Sequence, residues 1–110
     1  MTIDRDTFKA LTETAGADFI VELVDAFLEE APIMFENMRT GLAERDADKF
    51  RRAAHSLKSN SNTFGATALA ALAKDLELSG LQAALDKPDA LGPARAEYER
   101  VAAALKEKCK

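Results

Sequence analysis

Residues 53–66 read Ala53-Ala54-His55-Ser56-Leu57-Lys58-Ser59-Asn60-Ser61-Asn62-Thr63-Phe64-Gly65-Ala66, and they contain the only histidine of the 110-residue chain. Phe50, Ala53, Ala54, Leu57, Ser61 and Phe64 recur at three- and four-residue steps, the spacing of a single helix face. Asp46 suits the N-cap of such a helix, and Asp48 falls in the first turn, where the helix dipole favours an anion. Gly65 supplies a stop, as a residue free to take a left-handed C-cap. The segment 46–63 is therefore predicted to be helical. At about 100° per residue, His55 falls roughly 140–150° from the centre of the apolar stripe and points outward. Arg51, Ser59 and Asn62 fall around it, and Lys58 lies between it and the core edge.

The rest of the chain carries the same periodicity. Residues 4–14 read as a short helix capped by Asp4 or Asp6, with Phe8 and Leu11 on one face and Gly16 as its stop. It is expected to lie as a lid across a larger bundle. Residues 17–44 carry Ile20, Leu23, Val24, Phe27, Leu28, Ala31, Met34, Phe35, Met38 and Leu42 at helical steps. Pro32 lacks an N–H and its ring crowds the preceding turn, so a kink or split is expected there. Residues 66–85 place Leu69, Leu72, Ala73 and Leu76 inward, and the pattern loosens at Leu81 and Leu85, past Gly80. Residues 86–93 read as a loop, and a last helix starts between Asp89 and Pro93 and carries Leu91, Ala94, Tyr98, Val101 and Leu105 inward. No strand pattern or internal repeat occurs. Four long helical segments with short connections predict an all-α, antiparallel up-down-up-down four-helix bundle, with the N-terminal helix added to it. One domain over residues 1–110 suits this length.

Composition narrows the function. Hydrophobic residues make up 47% of the chain and charged residues 31%, as in a globular protein rather than a disordered one. The formal net charge of −4 argues against a nucleic-acid role, which needs a concentrated basic surface. The single cysteine, Cys109, has no partner for an internal disulfide, and the start has no apolar signal region, so a reducing compartment, the cytoplasm, is the expected location. No apolar run is long enough to span a membrane. The bundle leaves no surplus apolar stripe for a second copy, so a monomer is expected.

The residues also restrict the chemistry. A Ser or Cys hydrolase needs a base and an orienting group, and His55 is the only histidine available. A di-iron site needs Glu-x-x-His pairs, whereas Arg52 stands three residues before His55 and there is no second histidine. No P-loop or nucleotide-binding glycine motif is present. No metal or cofactor site is expected, and the chain is not expected to act as an enzyme on ATP. Taken alone, an exposed histidine on a helix is an ordinary surface residue. A neutral imidazole is nevertheless a nucleophile near pH 7 and can accept an activated phosphoryl group, with Lys58, one turn along, able to neutralise the added charge. Mg²⁺ and the activating acids would then come from the partner.

His55-Ser56-Leu57-Lys58-Ser59, with Gly65 six residues further on, resembles the signature of histidine-containing phosphotransfer domains. The resemblance extends upstream through Phe27…Pro32 and Asp46-Ala47-Asp48, and downstream through Leu69, Leu72 and Leu76-Glu77. It implies a four-helix bundle that relays phosphoryl groups between receiver-domain aspartates. His55 would be the phosphorylated residue, Lys58 its electrostatic partner and Gly65 the structural turn. Response-regulator receiver domains or a hybrid histidine kinase would be the partners. Arg51, Arg52, Ser59 and Asn62 would meet the partner's acidic site. The chain departs from the pattern at Ser59, where the family commonly has glycine. The added hydroxymethyl is expected to be tolerated and could hydrogen-bond the imidazole or the phosphate. Two other readings fit the residues: a helical adaptor that is not phosphorylated, and an excised phosphoryl-accepting domain of a sensor or chemotaxis kinase.

Overall fold

Asp4 starts the first helix, its carboxylate accepting the Thr7 backbone N–H at 2.9 Å. A computed structural model describes residues 2–110, and among them every regular element is an α-helix. These are α1 (Arg5–Ala15), α2 (Ala17–Glu44), α3 (Ala47–Thr63), α4 (Thr67–Leu85) and α5 (Gly92–Lys108). Asp46 caps α3 as expected and accepts the Lys49 N–H at 3.0 Å.

The expected interruption at Pro32 does not divide α2, which runs unbroken from Ala17 to Glu44. Pro32 sits on the exposed side, so its ring meets solvent rather than core. Its missing N–H would leave the Leu28 carbonyl, four residues back, without a helical donor. The Tyr98 hydroxyl of α5 reaches that carbonyl at 3.4 Å. A donor from another helix thus meets the acceptor that proline leaves open.

The real break lies in α4. Gly80 has φ 81° and ψ −179°, well outside helical values, and separates two helical pieces within Thr67–Leu85. This explains why the apolar spacing loosens at Leu81 and Leu85, both half-buried.

The core is built from the inward stripes. Phe27, Phe35, Met38, Phe50, Leu57, Leu69, Val101 and Leu105 are essentially sealed from water. Phe27 joins Phe64 and Tyr98 at centroid distances of 5.2 and 6.0 Å, and Phe35 lies 5.7 Å from Tyr98, so α2, α5 and the end of α3 share an aromatic cluster. α3 packs most extensively against α4 and then α2. α1 rests on α2 and α3, with Phe8 buried and Leu11 half-buried.

The α3–α4 turn positions everything that follows. Gly65 N–H donates to the Asn62 carbonyl at 3.0 Å and Ala66 N–H to the Ser61 carbonyl at 2.9 Å, the paired bonds of a Schellman stop. Gly65 has φ 80°, and a Cβ there would come within 3.0 Å of the Asp4 carbonyl and of Thr7. The Asp4 N–H in turn donates to the Gly65 carbonyl at 2.8 Å. Glycine is required at this turn both for its conformation and for the approach of α1.

Candidate functional site

The outward face of α3 exposes Arg51, Arg52, His55, Ser59 and Asn62 together, as their spacing predicts. The His55 side chain retains 54% of its accessible surface. Packing of Ala53, Ala54 and Leu57 against the core fixes the rotation of the helix, and that rotation points His55 to solvent.

His55 is not isolated. Its Nδ1 lies 2.8 Å from Oε2 of Glu77, which α4 brings alongside. Lys58 Nζ lies 3.0 Å from the other oxygen, Oε1. Glu77 therefore bridges the two α3 side chains. It is 13% exposed, against 25% for Lys58, so the carboxylate sits at the base of the site and the imidazole above it. The Lys58 ammonium beside it holds the Glu77 carboxyl below the usual carboxylate range, against burial, which pushes it up, and the His55 contact adds to the lowering.

This arrangement settles which nitrogen is free. An ionised carboxylate only accepts hydrogen bonds, so the proton shared with Glu77 sits on Nδ1. The lone pair is then on Nε2. A ring held this way at Nδ1 leaves Nε2 open, and in its neutral form that nitrogen carries the nucleophilic lone pair.

The two arginines share one carboxylate. Asp48 holds Arg51 at 2.9 Å and Arg52 at 3.6 Å, all three exposed on the turns preceding His55. Ser59 and Asn62 are bound through their carbonyls, Ser59 accepting from the Thr63 hydroxyl at 3.1 Å and Asn62 from Gly65 N–H at 3.0 Å. Gly65 lies behind the face, at the turn that fixes the register of α4 against α3.

Glu77 is the residue that sequence reasoning passed over as a site member. It stood only as part of the Leu76-Glu77 similarity, 22 positions from His55. An available signal was its position at helical spacing from Ala70 and Ala73, an acid beside a stripe of small residues facing another helix.

No group of three or more His, Cys, Asp or Glu residues among those described is placed to hold a metal ion. A cavity of about 140 Å³ opens beside the break at Gly80, with Leu72, Leu76 and Ala94 among its apolar lining and Asp75, Lys87 and Asp89 among its charged lining. His55 stands outside it, on an open face of α3. No described helix is long and apolar enough to cross a membrane.

The Hpt domain family model matches residues 22–107. Among solved structures the chain is similar to histidine-containing phosphotransfer protein B (HptB) from Pseudomonas aeruginosa PAO1. The two share 25% sequence identity with a TM-score of 0.83, over 98% of this chain and 94% of that one. No curated protein matches the sequence.

Proposed function

Because the chain belongs to the Hpt domain family, whose members are phosphoryl carriers in phosphorelays rather than kinases, we propose that it carries a phosphoryl group on Nε2 of His55. The donor is the aspartyl phosphate of a receiver domain, and the acceptor is an aspartate of a second receiver. The observation that carries this reading is the exposed His55 imidazole with Nδ1 tied to Glu77 at 2.8 Å.

The step balances without a group from outside the two proteins and the partner's Mg²⁺. The Nε2 lone pair attacks phosphorus, and an N–P bond forms. The bond from phosphorus to the aspartyl oxygen breaks, and its electron pair leaves on the carboxylate. The Nδ1 proton stays in place, and the positive charge that develops on the ring faces the Glu77 carboxylate. A charge-assisted hydrogen bond of this kind is roughly twice as strong as a neutral one, so Glu77 favours the phosphorylated ring. Lys58 lowers the negative potential of the whole cluster. Transfer onward is the reverse step toward a different aspartate.

In this reading Arg51, Arg52, Ser59 and Asn62 form the docking face, and Gly65 maintains the turn behind it. The chain has no ATP site or cofactor of its own. Residues 1–110 form one domain, with α2 to α5 alternating up and down as an antiparallel bundle and α1 laid across one end. The short α2–α3 and α3–α4 connections support that arrangement. The exposed large apolar residues Phe19, Val21, Ile33 and Leu78 are scattered over α2 and α4, which supports a monomer. The partners are proteins, with no nucleic acid or membrane involved, and the setting is cytoplasmic.

The test is label transfer. Several phosphorylated receiver domains with Mg²⁺ are incubated with the wild type and with His55→Gln. Acid-labile label on the wild type alone is the expected result. Label on the mutant would assign the wrong residue, and no label from any receiver, with the fold intact by circular dichroism, would favour an adaptor.

A further inference from the structure

Phosphorylation places close to two negative charges on an open surface, and the cations near His55 are already engaged. Lys58 is paired with Glu77 at 3.0 Å and is only 25% exposed. Arg51 and Arg52 share Asp48. A further side-chain donor on the same stripe is the hydroxyl of Ser59, one turn along from His55 and on the exposed face. Its carbonyl accepts from Thr63, whereas its hydroxyl makes no hydrogen bond among the described residues. Side chains on a helix lean toward the N-terminus, so Ser59 leans back toward His55.

We infer that Ser59 is a phosphate-holding and specificity-determining residue: its hydroxyl donates to a phosphoryl oxygen on Nε2 of His55, and its Cβ narrows the approach of the receiver. The inference rests on the phosphocarrier reading above. Two consequences follow from this placement. A hydrogen bond to the phosphoryl group stabilises the phosphorylated state and is lost as the N–P bond breaks, which lengthens that state's lifetime. The extra hydroxymethyl also excludes receivers whose surface fits only a glycine there.

The experiment uses phosphoramidate, a small donor that needs no docking. The full chain and its Ser59→Ala, Ser59→Thr and Ser59→Gly variants are phosphorylated, folding is checked by circular dichroism, and decay is followed by phosphorus-31 NMR. Ser59→Ala keeps the Cβ and loses the hydroxyl, so its phosphohistidine should decay about threefold to tenfold faster than wild type, the range of one hydrogen bond. Ser59→Thr keeps the hydroxyl and should stay within about twofold of wild type. Ser59→Gly should decay like Ser59→Ala but accept phosphate from a wider set of receivers. Equal lifetimes in wild type and Ser59→Ala, or a Ser59→Thr protein as short-lived as Ser59→Ala, would overturn the phosphate-holding role. An unchanged receiver range in Ser59→Gly would overturn the specificity role. No acid-labile label on the wild type would overturn the phosphocarrier reading itself, whereas label with equal lifetimes would leave that reading standing.

Discussion

On its inward face α3 carries Phe50, Ala54, Leu57 and Ser61, all sealed from water, while its outward face carries His55 with half its surface exposed. The inward residues are held by many weak contacts with α2 and α4, which any apolar side chain of the right size could largely supply. The outward histidine is held by one polar contact, to Glu77. The first face determines where the helix sits and how it is rotated. The second determines what the helix can do. Damage to the inward face should therefore appear as lost stability, and damage to the outward face as lost chemistry in a protein that still folds.

The largest expected effect is on the inward face. Leu57 is fully buried two residues from His55. Leu57→Ala should cost about 3 kcal/mol of stability, through lost transfer energy and the cavity left behind. Urea unfolding measures this. The labelling rate per folded molecule should stay within about twofold, because the rotation of α3 survives on Phe50, Ala53 and Ala54. A labelling rate that fell tenfold at full folding would mean that the two faces are coupled more closely than their forces suggest.

The next largest is on the outward face. Glu77→Gln keeps a hydrogen-bonding group beside the imidazole but removes the charge that faces the developing imidazolium. The rate of His55 phosphorylation should fall about tenfold, the difference between a charge-assisted and a neutral hydrogen bond. Stability should change by no more than about 1 kcal/mol, because the partners are partly solvated. Single-turnover labelling and urea unfolding on one sample separate the two outcomes. A variant that lost stability while keeping its rate would make Glu77 a structural residue.

The same contrast explains what the sequence could and could not show. The inward face was legible because Phe50, Ala53, Ala54, Leu57 and Phe64 are near neighbours along the chain and their period is that of the helix itself. Asp46 and Gly65 were legible for the same reason, since caps act over three or four residues. Its rotation placed His55 outward without any knowledge of the other helices. The Glu77 bridge depends on the register of α4 against α3, which the turn at Gly65 and its contact with Asp4 set, and no local pattern encodes that distance. Pro32 misled for a related reason. Its cost is local, whereas the hydroxyl that meets the open carbonyl comes from Tyr98, 70 positions away. The family resemblance added what periodicity lacked, by attaching a chemical role to a histidine that geometry alone left ordinary.

A smaller effect, of opposite sign, is expected from a flaw in the inward face. Ser61 is fully buried and its hydroxyl has no hydrogen-bond partner among the described residues. Leaving a buried hydroxyl unpaired costs more than replacing it with a methyl group of similar shape. Ser61→Ala should therefore raise stability by about 1 kcal/mol, with no change in the labelling rate. A loss of stability in urea unfolding would mean that the hydroxyl is satisfied in solution and that this face is less purely apolar than it looks.

The smallest effect separates the faces by pH. The Glu77 carboxyl is held below its ordinary value of 4.5 in the folded chain, first by Lys58, against burial, and then by His55. A carboxyl whose folded pKa is depressed binds its proton less readily when folded than when unfolded. Its contribution is thus present above the unfolded value and is lost as pH falls through the folded one. Wild type should be slightly more stable than Glu77→Gln near neutral pH, and the gap should close as pH drops below 4.5. Measuring the difference between the two proteins cancels the titration of Asp4, Glu36 and Asp48, whose carboxyls are also held low by their own partners. The Leu57→Ala deficit, which arises from packing alone, should stay constant over the same range. A Glu77 gap as flat with pH as the Leu57 deficit would show that the carboxylate is not ionically engaged with Lys58 and His55.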